Sequence, residues 1–392
     1  MNVSLEYLQR CSAQTGYQVP PLEKVVRLGE MAGDVERHPF LGKVLALKGG
    51  TALNLCFGPP KRLSADLDFN YVGDRDREKM LADRQQVDQA LAVLASRKGY
   101  RVQQSRDAFA GRKIYLIYRS VLGPEERIEV DVNFLFRVPI AGTERRELWQ
   151  PGELDRAQVR TVSLQEILVG KMLALLDRGA VRDVWDLANL PEPANEVTGL
   201  PSFRAWFIAM SAILDHPLPT YTLNRLEGFI TERAVVEQLV PLLSVDAPPR
   251  ADALVKRAWD EISRFLTLKP NEASYIASIE RGEVRPEMIS MDDPEASVDK
   301  QTYEALGTKA NLNIPVGDTR SDIYCLVLKA IRARECSFHF LTGHAQYSHS
   351  GIKAGAFHAQ DLGSTSYSLI WPSLGTPRRS ERKELTQNLQ NR

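Results

Sequence analysis

Two aspartates, Asp66 and Asp68, stand one residue apart in the otherwise apolar segment LSADLDFN (residues 63–70). Side chains along a β-strand alternate between its two faces, so a strand here directs both carboxylates to one side and Leu67 and Phe69 to the other. Two ionised carboxylates this close repel each other, which raises at least one pKa unless a cation lies between them. Mg²⁺ prefers oxygen ligands and keeps positions for phosphates, so the pair predicts a divalent metal site.

A double glycine precedes this pair, in Gly49-Gly50-Thr51, between a strand predicted at residues 44–47 and a helix predicted from Ala52. Backbone N–H groups and the positive end of the helix dipole attract phosphate there, and glycine allows close approach to the backbone. We also expect Thr51 to cap the helix. A glycine turn alone is a weak signal, and an acid pair alone fits a solvated strand edge. Their order along the chain favours a site that binds nucleotide phosphates and presents metal ions to them.

A third acid is expected on a neighbouring strand, and the segment RIEVDVNFLF (residues 127–136) offers one. Its apolar residues occupy one face, while Glu129, Asp131 and Asn133 occupy the other. Asp131 is central and is the predicted third metal ligand, with Glu129 as its substitute. Alone, this pattern describes an ordinary amphipathic strand, and it gains weight only from the aspartates upstream.

A later segment, SLQEILVGKMLALLDR (residues 163–178), predicts a helix that begins with a capping box formed by Ser163 and Glu166. Lys171 lies within its apolar stripe beside Gly170. A lysine in such a place extends to water as readily as it binds phosphate.

The next predicted helix, at residues 181–190, carries Asp183 and Asp186, with Arg178 and Arg182 close in sequence. The simplest interpretation of these charges is an ion-pair cluster that joins the two helices, and we favour it for Asp186 and Arg178. In the loop before Asp66, Lys61 and Arg62 suit RNA phosphates, although a charged loop is usually only solvated.

The order of patterns predicts an α+β fold, with a mixed sheet and flanking helices in the N-terminal part and a mainly helical C-terminal region. Pro20-Pro21 is expected to separate the first two helices. Helices are predicted at residues 3–15, 21–36, 76–98, 203–215, 221–243, 252–267 and 271–281, and further strands at 63–72, 100–104, 113–119 and 127–136. The expected domains are residues 1–150 for the sheet, 151–290 for the helical region, 291–335 for a helical extension and 336–392 for a flexible His-, Ser- and Gly-rich tail.

Composition narrows the class of protein. The 392-residue chain has 50 basic and 50 acidic residues, so no global field draws it to nucleic acid or membrane, although a local basic groove remains compatible. Its four cysteines are far apart, which indicates free thiols in a reducing compartment. No signal peptide or membrane span is predicted, so a cytoplasmic location is expected. The histidines of the tail fit no standard zinc spacing: His339, His344, His349 and His358.

The combination of motifs resembles a known family. The strand–GG[ST]–helix–DxD arrangement with a third strand acid is similar to the DNA-polymerase-β-like nucleotidyltransferases. The fuller wording KGGTALNL and RLSADLDF resembles the AbiEii/AbiGii toxins, which include the MenT toxins of mycobacteria. The resemblance continues in KMLALLDRGAVRDVWDL (residues 171–187) and more weakly at residues 271–289, but not in the tail. Fourteen residues separate Thr51 from Asp66, at the long end of the family spacing, and the loop at residues 58–62 can absorb the extra length.

The resemblance implies a toxin of a bacterial toxin–antitoxin or phage-defence system that transfers a nucleoside monophosphate from an NTP. It implies an RNA acceptor, the 3′ end of tRNA, and a cognate antitoxin. It makes residues 1–150 the nucleotidyltransferase core and the helical domain the part that completes the active site. The implied roles are Mg²⁺ (or Mn²⁺) ligation by Asp66, Asp68 and Asp131, phosphate or nucleotide binding by Gly49, Gly50, Thr51, Ser64 and Lys171, and catalysis by Asp66, Asp68, Lys171 and Asp183.

Ser64 matches a serine that is a phosphorylation target in some family members, where phosphate adds negative charge beside the metal and nucleotide. The expected chemistry is two-metal nucleotidyl transfer without a dedicated general base. Two alternatives stay open at this point. One is a nucleotidyltransferase that acts on a protein or a small molecule, and the other is a nucleotide-binding regulatory module without turnover.

Overall fold

The structure is a computed structural model that describes residues 3–74, 76–105, 112–134, 136–137, 139, 141–244, 248–280 and 288–289. The predicted extension at residues 291–335 and the tail at 336–392, with its histidines, lie outside the described residues. Within them, Cys11 and Cys56 are buried free thiols, as the sequence predicts.

The described residues contain seven strands, which form one sheet. Their bounds are β1 Leu45–Lys48, β2 Asp66–Tyr71, β3 Arg101–Gln104, β4 Lys113–Arg119, β5 Glu125–Asn133, β6 Thr143–Glu147 and β7 Gln158–Val162. The order across the sheet is β3-β4-β5-β2-β1-β7-β6. The pairs β2–β5 and β1–β7 are parallel and the other neighbours are antiparallel. The sheet is therefore mixed, as predicted, and its central strands are those that carry the glycine turn and the acids.

Helices flank the sheet and form most of the described residues that follow its last strand. The N-terminal helices are α1 Leu5–Thr15, α2 Val19–Arg37, α3 Leu41–Val44, α4 Gly49–Cys56 and α5 Arg77–Arg97. The later helices are α6 Leu164–Arg178, α7 Val181–Ala188, α8 Ala194–Gly199, α9 Pro201–Met210, α10 Leu223–Phe229, α11 Glu232–Gln238, α12 Ala251–Leu266 and α13 Pro270–Glu280. This agrees with the predicted α+β class and its helical C-terminal region.

One face of the central strands forms the core, because their apolar residues alternate with polar ones. Leu67 on β2 and Ile128 and Val130 on β5 are at most 1 % exposed. The acids of the same strands project to the opposite face, where they are half-exposed. The alternation of apolar and polar residues along these strands thus determines which face of the sheet carries the acids.

Several local predictions were wrong. Pro20 and Pro21 do not separate two helices but lie in the first turn of α2, where a backbone N–H has no helical acceptor to lose. Thr51 does not cap α4, which begins at Gly49, and its side chain turns to the neighbouring strand instead. The single helix predicted at residues 221–243 is broken into α10 and α11, each capped by a threonine side chain.

Strands β6 and β7 were not predicted. The edge strand β6 has the sequence TERRE and no buried residue, so it shows no alternation of apolar and polar positions. β7 pairs with β1 and therefore extends the sheet beyond residue 150. The division into domains stays a prediction, and any such division has to keep residues 158–162 with the sheet.

The N-terminus of α6 offers a test of the capping prediction. The Ser163 hydroxyl accepts a hydrogen bond from the backbone N–H of Glu166 at 3.3 Å. We expect Ser163→Ala to lower the free energy of unfolding by about 1 kcal/mol, because that N–H loses its acceptor. Urea denaturation measures the change. Ser96→Ala, at an exposed position of α5, is the control and should stay within about 0.5 kcal/mol. Equal losses in the two variants would contradict the capping role.

Candidate active site

A row of four charged residues crosses the sheet. Lys48 lies opposite Asp68, Asp68 opposite Asp131, and Asp131 opposite Lys113. Register partners project to the same face, so the two aspartates stand side by side with a lysine on either flank. Asp66 lies two residues before Asp68 on that face, opposite Glu129. The prediction that Asp66 and Asp68 share a side and that Asp131 joins them is therefore confirmed in its geometry.

The double glycine lies directly over this row. Gly49 has a φ of +70°, and a Cβ at this position would stand 2.7 Å from Oδ2 of Asp68. Any other residue would be strained by its backbone and would also meet the carboxylate. A Cβ at Gly50 would lie 2.8 Å from Nη2 of Arg62 and 3.5 Å from Nζ of Lys171. The two glycines thus bring one backbone turn against an anion on one side and two cations on the other.

The carboxyl groups of Asp66 and Asp131 have raised pKa values. Burial raises the pKa of Asp131 to about 6, and the nearby charge of Asp68 adds to the shift. Burial likewise raises the pKa of Asp66, with repulsion from Asp68 and Glu129, against the opposing effect of Arg182. The guanidinium of Arg182 lies 3.4 Å from the Asp66 carboxylate. A bound cation would relieve this repulsion, which is the behaviour expected of carboxylates built to receive a metal.

The donor set fits a divalent metal that shares its coordination with a substrate. Within the described residues, no three His, Cys, Asp or Glu side chains are arranged to hold an ion by themselves. Mg²⁺ is seldom held by an all-protein cage and usually takes one or two carboxylates together with phosphate oxygens and water. Asp66, Asp68 and Asp131 on adjacent strands supply such carboxylates.

Thr51 and Ser64 are turned inward. Thr51 is fully buried, and its hydroxyl donates to the backbone carbonyl of Asp66. The Thr51 and Ser64 hydroxyls are also hydrogen-bonded to each other at 2.7 Å. These bonds tie α4 to the start of β2 and so set the glycine turn against the acids. Ser64 is 5 % exposed, so a kinase would reach its hydroxyl only after local opening of this segment.

A network of buried ion pairs lies against the glycine turn, next to Gly50. Lys171 on α6 donates to Asp183 at 3.0 Å and contacts Asp186 at 2.7 Å, both on α7. Arg62 makes two bonds of 2.7 Å to the Asp186 carboxylate, and Arg178 bonds Asp183 at 2.7 and 3.0 Å. The predicted ion-pair interpretation of Arg178 and Asp186 agrees with these contacts, although their partners are Asp183 and Arg62 rather than each other.

The network carries an excess of positive charge. It contains three cations and two anions, and Arg62, Lys171, Asp183 and Asp186 are all buried. Burial would raise the pKa of Asp183, but Lys171 and Arg178 outweigh it and hold that pKa below its usual range. The pKa of Asp186 is lowered in the same way, by Arg62 and Lys171. Both carboxylates are thus ionised, and two of the cations around them, Arg62 and Lys171, lie next to Gly50.

The expectation that Arg62 lies at the surface was wrong. It was placed in a solvated loop with Lys61, but it is 2 % exposed and bound to Asp186. Only Lys61 lies at the surface, where it donates to the carbonyl of Leu190. The partner of Arg62 lies 124 residues away, so no local pattern marks this contact. Lys48 and Lys113, which flank the acid row, were also not predicted, since their role depends on strand register.

A comparison with family models identifies this arrangement. A model described as the nucleotidyl transferase AbiEii toxin of type IV toxin–antitoxin systems matches residues 34–257, which is more than half of the chain. The chain belongs to the AbiEii family. The matched span includes the glycine turn, the three strand aspartates and the whole buried network. The chain is therefore a nucleotidyltransferase toxin, and the family confirms the expected enzyme class and an antitoxin partner.

Solved structures agree on the fold of this AbiEii chain. MenT4, a nucleotidyltransferase toxin from Mycobacterium tuberculosis, aligns with a TM-score of 0.53 at 18 % identity, over 73 % of this chain and 97 % of MenT4. At that identity the likeness concerns the fold alone. A search of curated proteins gave no significant match. In the described part of the chain, no helix is both long and apolar enough to cross a membrane.

The buried network makes a prediction about stability. We expect Asp186→Ala to lower the free energy of unfolding by about 3–5 kcal/mol, because Arg62 and Lys171 stay buried without this carboxylate. Urea denaturation at neutral pH measures the loss. Asp252→Ala, which removes an exposed ion pair with Arg250, is the control and should leave the midpoint unchanged. An Asp186 variant as stable as the wild type would show that the network does not hold α7 against the Arg62 loop.

Proposed function

We propose that this AbiEii toxin transfers a nucleoside monophosphate from an NTP to the 3′ end of an RNA, with tRNA as the acceptor and Mg²⁺ (or Mn²⁺) as the cofactor. The observation that carries the proposal is the contact between the Gly49 turn and the Asp68–Asp131 pair, with Lys171 beside Gly50. This contact supports the proposal because it brings a glycine turn, a pair of carboxylates and a cation within a few ångströms of one another.

Asp66, Asp68 and Asp131 would hold the divalent ions. When bound, such ions supply charge neutralisation at the attacking hydroxyl and at the leaving pyrophosphate. In the reaction, the acceptor hydroxyl gives its proton to water and its oxygen forms a bond to the α-phosphorus, while the bond from the α-phosphorus to the pyrophosphate oxygen breaks and pyrophosphate leaves. The carboxylates of β2 and β5 orient these groups because both strands are fixed in the centre of the sheet.

The triphosphate would lie along the start of α4. The first N–H groups of a helix have no acceptor within the helix, and the absence of side chains at Gly49 and Gly50 leaves them open to approach. Since the Thr51 and Ser64 hydroxyls are engaged with each other, any phosphate contact at Thr51 would come from its backbone N–H. These two residues then shape the turn rather than bind phosphate through their side chains.

Lys171 would neutralise charge on the triphosphate. An ammonium group has three donors, of which Asp183 and Asp186 occupy two. Its Nζ lies 3.5 Å from the position of a Cβ at Gly50, so the third donor is near the turn. Asp183 is fully buried and does not reach a substrate. We therefore assign it the role of a positioning residue that holds Lys171 in place.

The acceptor is tested by labelling. The protein is incubated with each α-³²P-labelled NTP, Mg²⁺ and total tRNA, and the products are separated. Label at the 3′ end of tRNA supports the proposal. Label on a protein or small molecule would replace it with the alternative acceptor classes.

Asp66 provides the decisive variant. We expect Asp66→Ala to abolish label transfer and to abolish growth arrest on expression, because a metal-ligating carboxylate is lost. Asp252→Ala removes an exposed aspartate and should keep both activities. Unchanged labelling by a folded Asp66 variant would overturn the assignment of the metal site.

The Lys171→Met variant removes the ammonium charge from a protein that should still fold. Asp183 and Asp186 each keep an arginine partner in this variant, so we expect a folded protein. Its kcat should fall by about 100-fold or more, the loss typical of one electrostatic contact to developing charge. Lys61→Met, at the exposed lysine of the same region, should transfer label at the wild-type rate. A folded Lys171→Met with wild-type kcat would refute the phosphate contact.

A further inference from the structure

The face of the sheet that carries the metal-ligating acids continues beyond them along β4 and β5. Next to the row of Asp68 and Asp131 comes the pair Glu129 and Tyr115, and then the pair Arg127 and Ile117. Tyr115 and Ile117 are half-exposed and Arg127 is exposed, whereas their strand neighbours Leu116 and Ile128 are buried on the other face. We call Tyr115, Ile117 and Arg127 the stacking surface.

Arg127 is held in a defined place on this surface. Its guanidinium lies over the ring of Tyr115, 4.9 Å from the ring centroid. A guanidinium fixed on an aromatic ring by a cation–π contact has its second flat side directed away from that ring. Nucleobases stack on aromatic rings and on guanidinium planes in single-stranded RNA recognition. The pair therefore offers a flat, cationic support for a base.

The charges of this surface suit a polyanion. Glu129 is paired with Lys113, and Glu125 with Arg101 at 3.0 Å, so each of these carboxylates has a cationic partner. Within the described residues, neither Arg127 nor Arg119 has a carboxylate partner. Arg127 thus keeps a net positive charge available to nucleic acid.

The spacing connects the stacking surface with the reaction. Tyr115 is the register partner of Glu129, two residues from Asp131, and a strand advances about 3.3 Å per residue. Tyr115 therefore stands about 7 Å along the sheet from the predicted metal ligand. If the terminal nucleotide of an RNA acceptor lies at the acids, the nucleotide before it in the RNA reaches the stacking surface.

From these observations we infer that the stacking surface binds the single-stranded 3′ end of the RNA acceptor, with the base next to the terminal nucleotide stacked on Arg127 and Tyr115. The inference rests on the proposed function, because it places the same acceptor at the same site. It adds which part of the acceptor is held and by which residues. Arg127 and Tyr115 are acceptor-binding residues and take no part in the chemical step.

The test uses steady-state transfer kinetics on a synthetic tRNA and on the same tRNA with an abasic nucleotide next to the terminal one. We expect Arg127→Ala to raise the KM for the intact tRNA about tenfold and to leave the kcat and the KM for NTP unchanged, since one stacked base is lost. Arg127→Lys should be almost as impaired, because lysine keeps the charge but lacks the flat group.

The abasic tRNA supplies the specific readout. It should raise the KM of the wild type as Arg127→Ala does, and the two changes together should cost no more than either alone, because they remove one contact. Arg10→Ala is the matched control, since Arg10 also lies over a tyrosine ring, that of Tyr7, on α1. It should show the wild-type KM.

The outcomes separate the inference from the proposed function. Three results would overturn the stacking surface and leave the proposed function intact, provided that the wild type transfers label to tRNA. They are an unchanged KM in Arg127→Ala, a wild-type KM in Arg127→Lys, and additive effects of the variant and the abasic site. Absence of transfer to any RNA by the wild type, with label on a protein or small molecule instead, would overturn both.

Discussion

The repulsion between carboxylates on adjacent strands is the constraint on which the site depends. Asp68 and Asp131 are register partners, and Asp66 lies two residues along the same face. Burial and mutual repulsion raise the pKa values of Asp66 and Asp131, so the fold holds these groups in a state that a cation stabilises. The lysines that end the row, Lys48 and Lys113, act against the raised pKa of Asp131 and so reduce the cost of this arrangement.

The glycine turn is the second half of the same constraint. Since a Cβ at Gly49 would stand 2.7 Å from the Asp68 carboxylate, only glycine allows the backbone to come this close to the acids. On its other side the turn meets Arg62 and Lys171, which together with Arg178 surround the carboxylates of Asp183 and Asp186. The result is a steep change of charge across one turn of backbone, with anions where metal ions are expected and cations where phosphates are expected.

The buried network explains how distant parts of the chain form one site. Arg62 follows α4, Lys171 lies on α6, and Asp183 and Asp186 lie on α7. A buried cation or anion without a partner is costly, so each of these residues fixes the position of the next. Asn54 of α4 adds a bond from its side chain to Asp186 and another to the carbonyl of Gly50. The helical region is thereby tied to the glycine turn itself.

The sequence alone determined the features that depend on neighbours along the chain. The period of two placed Asp66, Asp68 and Asp131 on polar strand faces, and the Ser163 pattern placed the start of α6. Four of the five predicted strands needed only small changes at their ends, and β4 needed none. Prediction from the sequence failed for β6, whose five residues show no apolar alternation. It also failed for Thr51, whose hydroxyl donates to the carbonyl of Asp66 instead of capping its own helix.

Only the tertiary structure decided which of these features meet. The pairing of β2 with β5 brings Asp131 to Asp68 across 62 intervening residues, and the packing of α7 brings Asp186 to Arg62 across 123. Neither contact leaves a local signal, because side-chain periodicity reports which face a residue occupies but not which element covers or extends that face. Strand register and the need to pair buried charges supplied that information, and they turned separate motifs into one site.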